Sequence, residues 1–169
     1  DEERFLQLAA DDKGSIRYEG STKIETNKWY DVAVVLDNSK SGSERIALYV
    51  NGVRETLQLS IGTPDDLKEI NLTSDFYIGQ SDGKRRLNGA ISYARIWTKA
   101  LSDQQISEQS GKLLSEDKDG MVANWLFNNG NGNTKTFVSL AGKSFEAEAA
   151  NIVSNWKTYP ILETSTPTE

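Results

Sequence analysis

Arg45-Ile46-Ala47-Leu48-Tyr49-Val50-Asn51-Gly52-Val53-Arg54-Glu55-Thr56-Leu57-Gln58-Leu59 is the stretch that decides the fold of this chain. Ile46, Leu48 and Val50 recur at every second position, which places them on one face of a strand. Val53, Glu55, Leu57 and Leu59 resume the alternation beyond Asn51-Gly52. Asn followed by Gly tolerates the positive φ angles of a type I′ turn, whose twist matches that of two paired strands. The stretch predicts a hairpin, and with it an antiparallel sheet.

Working outward, residues 29–36 (Trp29-Tyr30-Asp31-Val32-Ala33-Val34-Val35-Leu36) are nearly all apolar and predict a central strand covered on both faces. Residues 88–97 predict another strand. Ile91, Tyr93, Arg95 and Trp97 share one of its faces, and Ala90, Ser92, Ala94 and Ile96 share the other, whose small side chains suit close approach of a second layer. Shorter strands are expected at residues 5–8, 15–18, 76–78, 121–127, 136–140 and 152–156. Helix is nearly absent. Ser102-Asp103-Gln104-Gln105 has the form of a capping box and Gly111 offers a stop, so about two turns are predicted between them. Pro64-Asp65-Asp66-Leu67 could open a further single turn. The pattern as a whole is all-β: a jelly-roll sandwich of two antiparallel sheets packed face to face, with one short helical turn.

Composition narrows the chemistry. The 169 residues contain no His and no Cys, which excludes Ser-His-Asp and Cys-His catalysis, the usual zinc and haem sites, and disulfides. Carboxylates, hydroxyls, amides and hard cations remain. A net charge of -6 repels phosphate backbones and anionic lipid, so nucleic acid is not an expected partner. No apolar run approaches the roughly 18 residues that a membrane span requires. The length suits one domain, expected over residues 1–162, with a loose Thr- and Pro-rich tail over 163–169.

Lys28-Trp29-Tyr30-Asp31-Val32-Ala33-Val34-Val35, Ala47-Leu48-Tyr49-Val50-Asn51-Gly52, Phe76-Tyr77-Ile78-Gly79, Leu87-Asn88-Gly89-Ala90-Ile91-Ser92-Tyr93-Ala94-Arg95-Ile96-Trp97 and Ala100-Leu101-Ser102 follow one another in an order that resembles the laminin G-like, concanavalin A-like jelly-roll domains of secreted and cell-surface proteins. The segment from Val122 to Asn133 looks like the strand that usually opens such domains, yet here it follows the helical turn. That arrangement is similar to surface proteins of gut Bacteroidetes in which this segment closes the domain. The strands that normally precede Phe5 have no counterpart, so the resemblance implies the C-terminal part of a longer polypeptide with further modules. It also implies a secreted or cell-surface location and a non-catalytic carbohydrate-binding role, with a glycan or a host surface protein as partner. Structural adhesion, or service as the accessory domain of a glycoside hydrolase, are the alternatives.

Candidate site residues follow from the same reading. Glucanases of this fold resemble one another in a Glu-x-Asp-x-Glu strand motif that sets two carboxylates in one groove. No strand here carries it, so no catalysis is expected. Calcium takes six to eight oxygen ligands, which rim loops of a sandwich can supply; Asp37 and Asp82 are the candidate ligands, with Asp11-Asp12 as a third position. Asp is also what turns use for themselves. Where the resembling domains often carry Asp-Ser-Ser-Gly, this chain has Val138-Ser139-Leu140-Ala141-Gly142, without that Asp. Among aromatics, Trp29, Trp97 and Trp125 sit among apolar neighbours and are expected in the core, whereas Trp156 and Tyr77 are candidates for stacking on a sugar ring. Asn129 and Asn131 could bind hydroxyls or simply close a hairpin. Arg85, within Lys84-Arg85-Arg86, could contact an acidic sugar or remain a solvated turn residue.

Overall fold

The computed structural model describes residues 5–10, 16–64, 77–81, 85–114, 118–127, 136–141 and 146–148. The chain divides into two compact units, residues 1–73 with 100–111 and residues 74–99 with 112–169. Antiparallel strands dominate both, as the alternating sequence requires.

The first unit contains β1 (Phe5–Ala10), β2 (Ile16–Lys23), β3 (Val32–Leu36), a 3-10 turn (Gly42–Arg45), β4 (Ile46–Val50), β5 (Val53–Arg54), β6 (Gln58–Ile61) and a helix, α1 (Asp103–Gln109). The strands form two antiparallel sheets, ordered β1-β2-β6 and β3-β4-β5. Asn51 and Gly52 have φ of 52° and 76°, the paired positive values of the predicted turn. Across it Val50 faces Val53 and Tyr49 faces Arg54.

The return strand is shorter than its alternation suggests. After Arg54 the chain crosses to the other sheet, where Leu59 pairs with Tyr18 and Gln58 with Glu19. Glu55 fixes the crossing. Its carboxylate accepts hydrogen bonds from the backbone N–H groups of Ser21 (2.7 Å) and Thr22 (2.6 Å) and from the hydroxyls of both residues. Gly20 makes room for it, since a Cβ there would stand 2.9 Å from Glu55 Oε2 and 3.1 Å from Leu48 Cδ2. Thus Val53 to Leu59 serve two sheets rather than one hairpin arm.

All five residues of β4 are buried. Ile46 packs with Ile16 and Tyr18 of β2, surrounded by Leu8, Leu36, Leu57 and Leu59, so the two sheets of this unit meet through that cluster. On the opposite face, Ala47 and Tyr49 pack against Ile106 of α1, with Ala33, Val35 and Leu101 around them. The helix is capped as predicted. Ser102 Oγ accepts from Gln105 N–H at 3.2 Å, Gln105 Oε1 accepts from Ser102 N–H at 3.0 Å, and Gly111 turns the chain with φ of 68°.

β3 corrects an expectation. It begins at Val32 rather than Trp29, and Val32 and Val34 are 45% and 50% exposed, so one of its faces is largely open. Double cover belongs to its neighbour β4. β3 lies at the end of the β3-β4-β5 order; its Ala33 and Val35 reach the helix-side cluster, while on the other face only Leu36 reaches the inter-sheet cluster. An apolar run permits burial on both sides, but the elements that land on it decide. Trp29, 40% exposed, precedes the strand and is not a core residue.

The second unit contains β7 (Gln80–Ser81), β8 (Arg85–Arg86), β9 (Tyr93–Trp97), β10 (Met121–Leu126), β11 (Thr136–Val138) and β12 (Glu146–Glu148), paired antiparallel as β7-β8, β9-β10 and β11-β12. Ala94 and Ile96 of β9 join Ala123, Trp125, Ile78, Phe127 and Ala147 in its core, so the small-residue face packs closely as read. Trp125 is buried and Trp97 half-buried. β9 starts at Tyr93 rather than Asn88, and Tyr77 and Ile78 precede β7 instead of forming a strand. Asn124, fully buried in β10, ties this unit together: its amide donates to Leu114 O at 2.7 Å and its backbone N–H to Ser139 Oγ at 2.8 Å. The strand expected at 152–156, the turn at 65–67 and the tail at 163–169 lie outside the described residues. No helix among the described residues is long and apolar enough to cross a membrane.

Candidate functional site

On the helix side of β4, the first unit forms an open cleft of about 530 Å³. Val35, Ala47 and Leu101 supply its apolar part. Its polar lining comes from three places: Asp37, Lys40, Glu44 and Arg45 between β3 and β4, Arg54 on β5, and Ser102 to Gln105 at the start of α1.

The first of these segments is held by its own turn chemistry. Asp37 Oδ1 accepts from the backbone N–H (3.0 Å) and hydroxyl (2.6 Å) of Ser39, an Asp turn of the ordinary kind. Asp37 N–H donates to Arg45 O at 2.8 Å, and Arg45 donates to Asn38 Oδ1 at 2.7 Å, so the loop is closed at its base. The hydrogen bonds from Ser39 hold the Asp37 carboxyl below the usual carboxylate range, with Lys40 Nζ, 3.8 Å from Oδ2, acting in the same direction.

The other side is organised by Asp103. Its Oδ1 accepts from Tyr49 Oη at 2.7 Å and from Arg54 at 3.3 Å, and the Arg54 guanidinium lies 6.0 Å from the centre of the Tyr49 ring. Tyr49 and Arg54 are cross-strand partners of the hairpin, so the turn itself brings them together. The hydrogen bond from Tyr49 lowers the Asp103 carboxyl, and Arg54 adds to the effect. Burial, reinforced by the bond to Asp103, pushes the Tyr49 hydroxyl up to about 12. Tyr49 is 2% exposed, so its ring is a wall under the cleft and not a stacking platform. The cleft therefore offers fixed donors and acceptors at short spacing over a small apolar base. Such groups can both donate hydrogen bonds and accept them.

Of the residues singled out from sequence, Asp37 alone lies in this cleft. Its carboxylate is committed to Ser39 and faces an ammonium group, and among the described residues no three acidic side chains converge closely enough to hold a metal ion. Asp37 supplies one side-chain ligand of the six to eight oxygens that calcium takes, and the other candidate ligand, Asp82, lies outside the described residues. Tyr77 is 51% exposed in the second unit, and Arg85 pairs with Ser81 there in the β7-β8 ladder. Asp82, Asn129, Asn131 and Trp156 lie outside the described residues. Lys40 is not marked by the sequence, and Tyr49, Arg54 and Asp103 stand out there as hairpin and capping residues rather than as members of a site. The hairpin register was a usable signal for Tyr49 beside Arg54; the arrival of Asp103 from 49 positions further on was not.

No curated protein and no solved structure matches the chain. Residues 2–107, a span that holds every residue lining the cleft, match the family described as the concanavalin A-like lectin/glucanases superfamily.

Proposed function

We propose, because the chain belongs to the concanavalin A-like lectin/glucanases superfamily, that it is a non-catalytic carbohydrate-binding module of a secreted or cell-surface protein. The observation that carries this reading is the cleft beside β4, where Asp37, Lys40, Arg54 and Asp103 set charged donors and acceptors around a small apolar base. A sugar needs both, since each hydroxyl donates once and accepts twice. The absence of a Glu-x-Asp-x-Glu strand motif from the sequence supports a binding rather than a hydrolytic role. Affinity at one such open site is modest, and neighbouring modules would supply avidity.

A second reading, a protein-interaction or adhesion module, draws on a different surface. Val32, Val34 and Val53 are 45%, 50% and 66% exposed, and the strand register puts them on the same face of the β3-β4-β5 sheet as Val50. An exposed apolar patch of that kind suits a protein partner.

Glycan-array binding of the full chain, with and without a calcium chelator, separates the two. Glycan binding that persists in chelator and weakens in Asp103→Ala is expected. If no glycan binds at high protein concentration, the carbohydrate reading fails and the interaction reading takes its place.

A further inference from the structure

The charge arrangement of the cleft carries the carbohydrate reading one step further, to the class of saccharide. Three cations (Lys40, Arg45, Arg54) and three carboxylates (Asp37, Glu44, Asp103) line it, so its formal charge is zero in a chain of net charge -6. The charges are also mixed locally. Lys40 Nζ stands 3.8 Å from Asp37 Oδ2, Arg54 stands 3.3 Å from Asp103 Oδ1, and Arg45 donates to Asn38 Oδ1.

Two consequences follow for a charged ligand. A sulfate or carboxylate entering the cleft must shed water, and that cost is recovered only against a cation free to turn toward it. Here Lys40 and Arg54 already face carboxylates of the protein, which repel the same anion. The field of the whole chain adds to the repulsion at longer range. For a neutral saccharide the same pairs are an advantage. A hydroxyl can donate to a carboxylate while accepting from the neighbouring ammonium or guanidinium, which leaves neither partner unsatisfied. At about 530 Å³ the cleft is the size of an ordinary small-molecule site, room enough for a short oligosaccharide.

We infer that this cleft selects uncharged, hydroxyl-rich oligosaccharides and rejects sulfated and uronic-acid-containing ones. The inference rests on the carbohydrate-binding reading and has consequences of its own. Attraction between a neutral ligand and paired charges at contact distance is little screened by salt, whereas binding of an anionic ligand is strongly screened.

The experiment is a titration of the full chain against two panels. The neutral panel is maltohexaose, cellohexaose and xylohexaose together with the neutral glycans of an array; the acidic panel is a galacturonic acid hexamer and a heparin-derived hexasaccharide. Each is measured at low and high sodium chloride. At least one neutral glycan is expected to bind, with affinity changing by less than about twofold between ~0.05 and ~0.5 M salt, while the acidic panel binds at least about tenfold more weakly. Arg54→Ala should weaken the neutral binding about tenfold, since it removes one donor of the lining. Glu44→Lys, at an exposed position, gives the lining two net positive charges and should create salt-sensitive binding to the acidic panel. Acidic glycans that bind the native chain as tightly as neutral ones, with steep salt dependence, overturn the inference and leave the carbohydrate reading standing. Neutral binding that Arg54→Ala and Lys40→Ala both leave unchanged overturns the assignment to this cleft. If neither panel binds, the inference and the carbohydrate reading fall together.

Discussion

β4 presents two faces, and they do different work. On one, Ile46 is sealed between two sheets among Leu8, Leu36, Leu57 and Leu59, with the Glu55 carboxylate fastening the crossing strand beside it. On the other, Ala47 and Tyr49 support a helix and an open cleft whose lining is charged. The strand period of two places structure and recognition one residue apart. Changes on the inner face should therefore cost stability, and changes to the exposed polar lining of the cleft, such as Arg54, should cost little stability and alter binding.

The largest expected effect is Ile46→Ala. It removes a residue that is 4% exposed from the inter-sheet cluster and should destabilise the chain by about 2–4 kcal/mol in chemical denaturation. Glu55→Ala comes next, at about 2 kcal/mol, because it strips the acceptor from two backbone amides and two hydroxyls at once; Glu55→Gln should lose less. Burial raises the Glu55 pKa, yet the hydrogen bonds from Thr22 and Ser21 outweigh it and leave the group lowered from 4.5. A folded value below the unfolded one means that the contribution is present above about pH 4.5 and fades as pH falls through the folded value. Glu55→Gln should flatten the acid limb of the stability profile.

Tyr49→Phe lies on the other face and should cost about 1 kcal/mol, the worth of one hydrogen bond to Asp103. Its pH signature is opposite. Because the folded hydroxyl titrates near 12 and an ordinary tyrosine at 10.0, its contribution is complete below pH 10 and is lost as pH rises toward 12. Alkaline denaturation of the wild type should show this loss and Tyr49→Phe should not. Val34→Thr is the smallest: at 50% exposure on the open face of β3, it should shift stability by less than about 0.5 kcal/mol. A large loss there would mean that the β3 face is covered after all.

What could be read from sequence was the local chemistry. The Asn51-Gly52 hairpin and the Ser102-Gln105 cap rest on neighbours along the chain, and both form as read. The small-residue face of β9 was legible for the same reason. Cover was not. Residues 29–36 look more deeply buried than 46–50, but the second sheet and α1 land on β4, and no periodicity in β3 encodes that. The cleft was legible only in part. Asp37 stood out as a turn residue, whereas Arg54 and Asp103 meet because the topology returns the chain to the hairpin after an excursion of 49 positions.

The central claim is that the helix-side cleft of β4 binds saccharide. Amide chemical-shift mapping of the full chain, titrated with the neutral oligosaccharide that binds best on the array, tests it most directly. The account predicts that the largest shifts fall at Lys40, Arg54 and Asp103 and that Arg54→Ala needs about tenfold more ligand to reach half-saturation. Shifts centred instead on Val32, Val34 and Val53, or on the second unit with the cleft silent, would contradict it.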